Sequence, residues 1–235
     1  MLETSQFSLR LAAVRRQIAL VCAESGRRPE DITLVAVSKT FSFAVVADAY
    51  QCGQLHFGEN YMQDCLPKIE QAAVLNLPLK WHFIGHLQRN KARYFDARFF
   101  MLHSLDSLEL ARQLGRQALV GGYRQSVLVQ VNVSHDKAKY GVKPSLLLAF
   151  MDRLRYVDGL SVEGLMTIPA ITGDDVETRS CYRRLAGLFA EVRNAYYPDD
   201  PGFRHLSMGM SGDFMTAIAE GATIIRIGTL LFGER

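Results

Sequence analysis

Short apolar runs alternate with longer helical stretches along this chain, and the alternation restricts the fold more than any other feature. Eight runs are predicted to be strands: Ile32–Ser38, Leu55–Gly58, Trp81–Gly85, Phe99–Ser104, Val127–Asn132, Leu160–Met166, Phe203–Met208 and Thr223–Gly228. The stretches predicted to be helical are Phe43–Gly53, Asn90–Asp96, Ser107–Leu119, Pro144–Tyr156, Val176–Tyr196 and Asp213–Glu220. Such alternation is typical of a parallel sheet with helical crossovers. Eight units predict a (β/α)8 TIM-like barrel, with an open doubly wound sheet as the alternative.

An amphipathic helix is predicted before the first strand. Its apolar positions recur at helical spacing: Leu11, Val14, Ile18 and Val21. We expect residues 1–30 to pack on the barrel and residues 1–235 to form one α/β domain. At 235 residues and 49% hydrophobic content, the chain is long and apolar enough to bury a core, which excludes intrinsic disorder.

Composition also excludes several functional classes. The excess of 27 Lys and Arg over 24 Asp and Glu is too small to indicate nucleic-acid binding. No apolar run reaches the roughly 18 residues that span a bilayer, so we expect no membrane insertion. The four cysteines lack C-x-x-C spacing, which argues against a metal site. We interpret them as reduced thiols of a cytoplasmic protein.

Polar residues and glycines directly follow the predicted strands. They are Ser38-Lys39, Gly58-Glu59-Asn60, Gly85, Asn132 and Gly228-Thr229. In a barrel, the carboxyl ends of the strands share one rim, where binding sites are built. Lys39 ends a nearly continuous apolar run, so its amine is expected over the barrel mouth. Desolvation there favours a nucleophilic amine that forms a Schiff base with an aldehyde. The alternative is a lysine whose stem lies on the core and whose ammonium reaches water.

Two segments near the end of the chain indicate a phosphate site. Ser207–Asp213 starts at the end of the seventh predicted strand and continues beyond it, and Arg226–Thr229 ends the eighth. Barrels often bind phosphate at these loops. The alternative is that the glycines are turn residues and Ser211 is a helix cap. An inward Arg226 needs a partner, either a carboxylate or a ring nitrogen of a cofactor. Because arginine keeps its proton, such a nitrogen would stay unprotonated.

Three other side chains have two interpretations each. Asn60 could hydrogen-bond a phenolic oxygen or water near the Lys39 amine. Met166 could pack on an aromatic ring or belong to the core. His82 could line the mouth, but a core histidine is the preferred interpretation.

Several motifs occur together in one order and resemble one known family. The motifs are Ala36–Lys39, Phe57–Tyr61, Trp81–Gly85, Leu87–Lys91, Gly164–Met166, Leu206–Ser211, Arg226–Thr229 and Phe232-Gly233. Together they resemble the pyridoxal 5′-phosphate homeostasis proteins. The likeness runs from about Ile32 to the end. Near the rim, Asp136 takes the place of the usual glutamate, and Lys139-Tyr140-Gly141 adds an aromatic hydroxyl.

The resemblance implies a single barrel like the amino-terminal domain of alanine racemase, and it implies a role for each candidate residue. Lys39 would hold pyridoxal 5′-phosphate (PLP) as an aldimine, with Arg226 beside the pyridine nitrogen. Phosphate contacts would come from Ser207, Ser211, Gly228 and Thr229. Asn60 and Met166 would lie close to the cofactor.

The resemblance further implies a cytoplasmic protein of vitamin B6 homeostasis without robust catalytic activity. PLP-requiring apo-enzymes are candidate partners, and we expect a monomer, with a weak dimer as the alternative. A competing hypothesis is a PLP-dependent enzyme such as an amino acid racemase, for which Tyr140 and His82 are the candidate proton donors. A Schiff-base aldolase with Lys39 as nucleophile is a third.

Overall fold

Eight parallel strands close into a barrel. The computed structural model describes residues 4–134, 140–169 and 174–233. The strands are β1 (Thr33–Val37), β2 (His56–Glu59), β3 (Lys80–Phe83), β4 (Phe99–Leu105), β5 (Gln125–Gln130), β6 (Leu160–Met166), β7 (His205–Ser207) and β8 (Ile224–Ile227). Each strand pairs with the next, and β8 pairs with β1. The predicted (β/α)8 barrel is therefore confirmed, and the open sheet is wrong.

Helices surround the strands. The α-helices are α1 (Thr4–Glu24), α2 (Phe43–Gln51), α3 (Met62–Val74), α4 (Leu108–Val120), α5 (Leu147–Leu154), α6 (Asp175–Tyr196), α7 (Phe214–Ala219) and α8 (Thr229–Phe232). Short 3₁₀ helices occur at Pro29–Asp31, Arg89–Tyr94 and Pro144–Leu146. α1 packs against α2, α7 and α8. Its buried face includes Phe7, whose ring centroid lies 5.2 Å from that of Phe232.

The structure differs from the prediction at several elements, and α8 is one that was not predicted. The segment predicted as the helix Asn90–Asp96 is a 3₁₀ helix. α3 was not predicted, because Pro67 inside it interrupts the usual helical signal. Asp174 caps α6 through hydrogen bonds from the backbone N–H groups of Val176 and Glu177. Ser211 does not cap α7, since Asp213 takes the cap position there.

The barrel interior is filled below the rim. A small apolar cluster there consists of Val35, Met101, Leu128, Met166 and Ile224, while a larger cluster packs the strands against the helices. Because the interior is filled, the carboxyl-terminal mouth of the strands is the place where a barrel of this kind binds a ligand.

Two further observations concern the described part of the chain. None of its helices is both long and apolar enough to cross a membrane. The four cysteines, all of which are described, form no disulfide with one another.

Candidate functional site

A cavity of about 690 Å³ opens at the carboxyl-terminal mouth of the barrel. Six of the eight residues predicted from the sequence line it: Lys39, Asn60, Ser211, Arg226, Gly228 and Thr229. They come from the ends of β1, β2 and β8 and from the segment after β7. The fold therefore brings together residues that are almost 200 positions apart in the sequence.

The charge of the cavity is one-sided. Among the described residues that line it, Lys39 and Arg226 are cationic and none is a carboxylate. Lys39 is half-buried, and within the described ranges no hydrogen bond or ion pair involves its ammonium. Burial lowers the pKa of Arg226 to about 10, so the guanidinium stays protonated at neutral pH. Two cations with no carboxylate among the described lining residues favour an anionic ligand.

Arg226 forms the floor of the cavity and is held by neutral acceptors. Its Nη1 donates to Ser207 Oγ at 2.6 Å, and its Nη2 donates to the Thr167 carbonyl oxygen at 2.9 Å. The sequence left open a carboxylate partner for this arginine. In the described part of the chain, no carboxylate forms a salt bridge with it. The Asp213 carboxylate acts on it from a distance and partly opposes the lowering of its pKa by burial. An anionic ligand group in the cavity would therefore meet a guanidinium that no described carboxylate pairs directly.

The loops after β7 and β8 are joined to each other. Ser211 Oγ accepts a hydrogen bond of 3.3 Å from the Gly228 backbone N–H. Ser211 is half-buried, whereas Thr229 is exposed. The two segments predicted as a phosphate site thus meet at one side of the cavity and present two hydroxyls there.

A buried network holds the backbone next to Lys39 and Asn60. Glu59 Oε1 accepts from Ser38 Oγ at 2.7 Å and from Lys68 Nζ at 2.7 Å. Lys68 Nζ also donates to the Ser38 carbonyl at 2.9 Å. Burial raises the pKa of Glu59, and Lys68 and Ser38 oppose this shift. Since residues 38 and 59 directly precede Lys39 and Asn60, the network fixes the backbone positions from which both side chains extend.

Asn60 offers an acceptor that no group in the protein uses. Its Oδ1 is buried and has no hydrogen-bond partner among the described residues, although Asn60 lines the cavity. An unsatisfied buried oxygen is costly, so a ligand donor there would be favoured. Gly85 lets the backbone of Asn60 approach, because a Cβ at Gly85 would lie 2.2 Å from the Asn60 carbonyl oxygen. This orphaned atom fits a ligand that carries a hydroxyl or a bound water.

Two predicted site residues lie below the cavity. Met166 is fully buried in the apolar interior cluster. Ser207 is also fully buried, and its hydroxyl faces His103 and Arg226. Neither residue lines the cavity, so a direct contact with a ligand stays a prediction for both. His82 lies in the interior as well, as its preferred interpretation expects.

Tyr140 belongs to a neighbouring cavity of about 500 Å³ that shares Asn60, Ile84 and Ile168 with the first. The Tyr140 ring stacks on His86 with centroids 3.7 Å apart. The adjoining positions Asp136 and Lys139 lie outside the described residues.

The fold and the cavity define a class: barrels built like the amino-terminal domain of alanine racemase. The family model described as "Alanine racemase, N-terminal domain" matches residues 9–235. Within that class, the chain belongs to the family of pyridoxal phosphate homeostasis proteins. It is 41% identical over 226 residues to the pyridoxal phosphate homeostasis protein of Aquifex aeolicus (strain VF5), which covers 96% of this chain and 97% of that protein. Identity to the protein of the same name from Escherichia coli (strain K12) is 39%, covering 96% of this chain and 95% of that one.

Solved structures agree with this assignment. PipY of Synechococcus elongatus PCC7942 has been solved without PLP and with PLP bound. The PLP-bound form has a TM-score of 0.82 at 36% identity, covering 97% of this chain and 100% of PipY. Alanine racemase from Corynebacterium glutamicum matches with a TM-score of 0.68 at 16% identity, covering 96% of this chain and 62% of that chain. The latter likeness concerns the fold alone. The resemblance inferred from the sequence is therefore confirmed.

Proposed function

We propose that this chain binds PLP in the rim cavity through a Schiff base to Lys39 and serves vitamin B6 homeostasis in the cytoplasm, without robust catalytic activity. The observation that carries the proposal is the convergence of six predicted residues on one cavity whose described lining has two cations and no carboxylate. The PLP-bound structure of the relative PipY supports it independently. We further propose a monomer that exchanges PLP with apo-enzymes that require it.

The phosphate is proposed to lie where the two joined loops meet. Ser211 and Thr229 supply hydroxyl donors, and the backbone of Gly228 lies between them along the cavity wall. A phosphate dianion gains from these donors and from the positive charge of the cavity. A Cβ built on Gly212 would meet nothing within 4 Å, so the loop leaves open space for the phosphate.

Lys39 supplies the covalent link. The neutral amine attacks the aldehyde carbon, a carbon–nitrogen double bond forms, and the aldehyde oxygen leaves as water with the two amine hydrogens. Because Lys39 is only half-buried, water can return and hydrolyse the link. This reversibility suits a protein that takes up and releases PLP.

Arg226 is proposed to face the pyridine nitrogen. A guanidinium donates hydrogen bonds and accepts none, so the ring nitrogen stays unprotonated. PLP supplies an electron sink for carbanion chemistry when its ring is protonated, and an unprotonated ring is a weak sink. Met166 and Ser207 support this end of the site from below.

An amino acid racemase is the competing function, and it needs a proton donor opposite Lys39. Of the two donors named from the sequence, His82 is fully buried beneath the cavity and Tyr140 is stacked on His86 in the neighbouring cavity. These positions favour the proposed non-catalytic binding of PLP over racemase activity. Incubation with L-amino acids in deuterium oxide tests the choice, because rapid exchange at the α-carbon would overturn the non-catalytic role.

Absorption and mass spectra test the proposal directly. We expect a near-visible band when PLP is added, since a Schiff base of PLP absorbs there. Borohydride should fix one reduced PLP on the protein, and peptide mapping should locate it at Lys39. A preparation that stays colourless with PLP and keeps its mass after reduction would contradict the proposal.

Replacing Ser211 with alanine is expected to weaken PLP binding about fivefold, because a half-buried donor to the phosphate is worth roughly 1 kcal/mol. Thr229→Ala should have a smaller effect, since Thr229 is exposed. Equilibrium titration of PLP absorbance measures both. Ser180→Ala, on the exposed side of α6, is the matched control. Unchanged PLP affinity in both Ser211→Ala and Thr229→Ala would contradict the proposed position of the phosphate.

A further inference from the structure

Five side chains form a single file of hydrogen bonds through the interior of the barrel. His56 Nδ1 lies 2.8 Å from His82 Nε2, and His82 Nδ1 lies 2.8 Å from His103 Nε2. His103 Nδ1 lies 2.8 Å from Ser207 Oγ, which accepts from Arg226 Nη1 at 2.6 Å. The file begins at half-buried His56, which lines a pocket at the opposite end of the barrel, and ends in the floor of the PLP cavity.

The arginine determines the direction of every hydrogen bond in this file. A guanidinium can only donate, so Ser207 Oγ accepts from Arg226. The hydroxyl proton of Ser207 then has one acceptor among its partners in the file, His103 Nδ1. His103 must carry its own proton on Nε2 and donate it to His82 Nδ1. By the same logic, His82 donates through Nε2 to His56 Nδ1.

The imidazoles are neutral in this arrangement, as their burial requires. His82 and His103 are fully buried, and burial holds the pKa of each far below the usual range of imidazole. Burial, together with Lys80, lowers the pKa of His56 to about 4. Since Arg226 does not release its proton at neutral pH, the file cannot deliver protons to the cavity. Its effect is a fixed order of donors and acceptors.

We propose that His103 and Ser207 are positioning residues for Arg226, with His82 and His56 fixing the order in which they donate. His103 Nδ1 accepts the hydrogen bond that the Ser207 hydroxyl donates, so Ser207 always turns a lone pair towards the guanidinium. Ser207 and the Thr167 carbonyl then hold two of the arginine nitrogens. The remaining N–H groups are thereby aimed at the ligand. This inference rests on the proposed function only for the identity of that ligand.

The first test needs no ligand. Nitrogen-15 NMR of the imidazoles in the ligand-free protein at neutral pH distinguishes protonated from unprotonated ring nitrogens. We expect His56, His82 and His103 all to carry their proton on Nε2. A proton on Nδ1 of His103 would overturn the proposal, whether or not the protein binds PLP.

The second test compares two substitutions at one position. Asparagine places an acceptor oxygen near the location of His103 Nδ1, whereas leucine fills the space without one. His103→Leu is expected to lower PLP affinity about tenfold, because Ser207 loses its acceptor and Arg226 its fixed partner. His103→Asn should restore affinity to within about threefold of the unmodified protein.

The pattern of these effects separates positioning from packing. A packing role alone would favour leucine over asparagine, so equal or tighter binding by His103→Leu would overturn the proposal. His205→Asn is the matched control, since His205 lies in β7, two positions before Ser207, and its Nδ1 faces Thr223 Oγ1 rather than the file. Its PLP affinity should stay within about twofold. If the unmodified protein fails to bind PLP, the proposed function fails, and the NMR result still decides the order of hydrogen bonds.

Discussion

Lys39→Ala is expected to abolish the covalent adduct with PLP while leaving weaker binding through the phosphate. The cavity keeps Arg226 and the two joined loops in this variant, so the anion still finds its donors. The near-visible band of the Schiff base should disappear, and borohydride should no longer add mass. Titration followed by equilibrium dialysis measures the remaining non-covalent affinity.

Lys91→Ala is the control for this prediction. Lys91 is an exposed lysine that lines the neighbouring cavity, so it tests whether any lysine near the rim can form the adduct. The control should keep both the band and the added mass. If Lys39→Ala still gives a borohydride-stable adduct, another amine holds PLP and the assignment of Lys39 is wrong.

Lys68→Met is expected to destabilise the protein by about 3–5 kcal/mol at neutral pH, the usual effect of removing one partner of a buried ion pair. Methionine fills the volume of the lysine stem but leaves Glu59 fully buried without its cation. Its Oε2 already has no hydrogen-bond partner among the described residues. Chemical denaturation, with the midpoint and slope fitted together, measures the loss.

The pH dependence of this loss identifies its cause. Without Lys68, the pKa of Glu59 in the folded state should rise further above its unfolded value, so the protonated carboxyl is the stable form. The loss of unfolding free energy relative to the unmodified protein should therefore shrink as pH falls from this raised pKa towards the lower pKa of Glu59 in the unfolded state. Lys143→Met, at an exposed lysine, should change stability little. If the loss of unfolding free energy does not depend on pH, its cause is lost packing and not an uncompensated charge on Glu59.

The rim of the site was predictable because strand ends are visible in the sequence. Lys39, Asn60 and Gly228 each follow an apolar run, and a closed parallel barrel gathers such positions at one end. The depth of a residue was not predictable in this way. Ser207, whose phosphate contact stays a prediction, is fully buried and bonded to Arg226. Its depth follows from the tilt and stagger of the strands, which set how far each one rises towards the rim.

The buried polar contacts were beyond sequence reasoning for a different reason. Glu59 and Lys68 belong to adjacent elements, but Lys68 lies on the buried face of a helix whose pattern Pro67 interrupts. Recognition of α3 would have placed Lys68 beside Cys65 and Ile69 on its apolar face and marked it as a buried cation. The histidine file depends on side chains of β2, β3 and β4 meeting across the interior, which only the register of the strands determines.

Closure of the sheet restricts how the proposed transfer of PLP to a recipient protein could occur. Every strand has neighbours on both sides, so no row of free backbone groups is available for strand addition by another chain. If the proposed transfer takes place, a recipient would make its contacts with side chains of the surrounding helices or with the loops at the mouth. Transfer would then require two loop surfaces to meet at the open end, and its rate would depend on the residues exposed there.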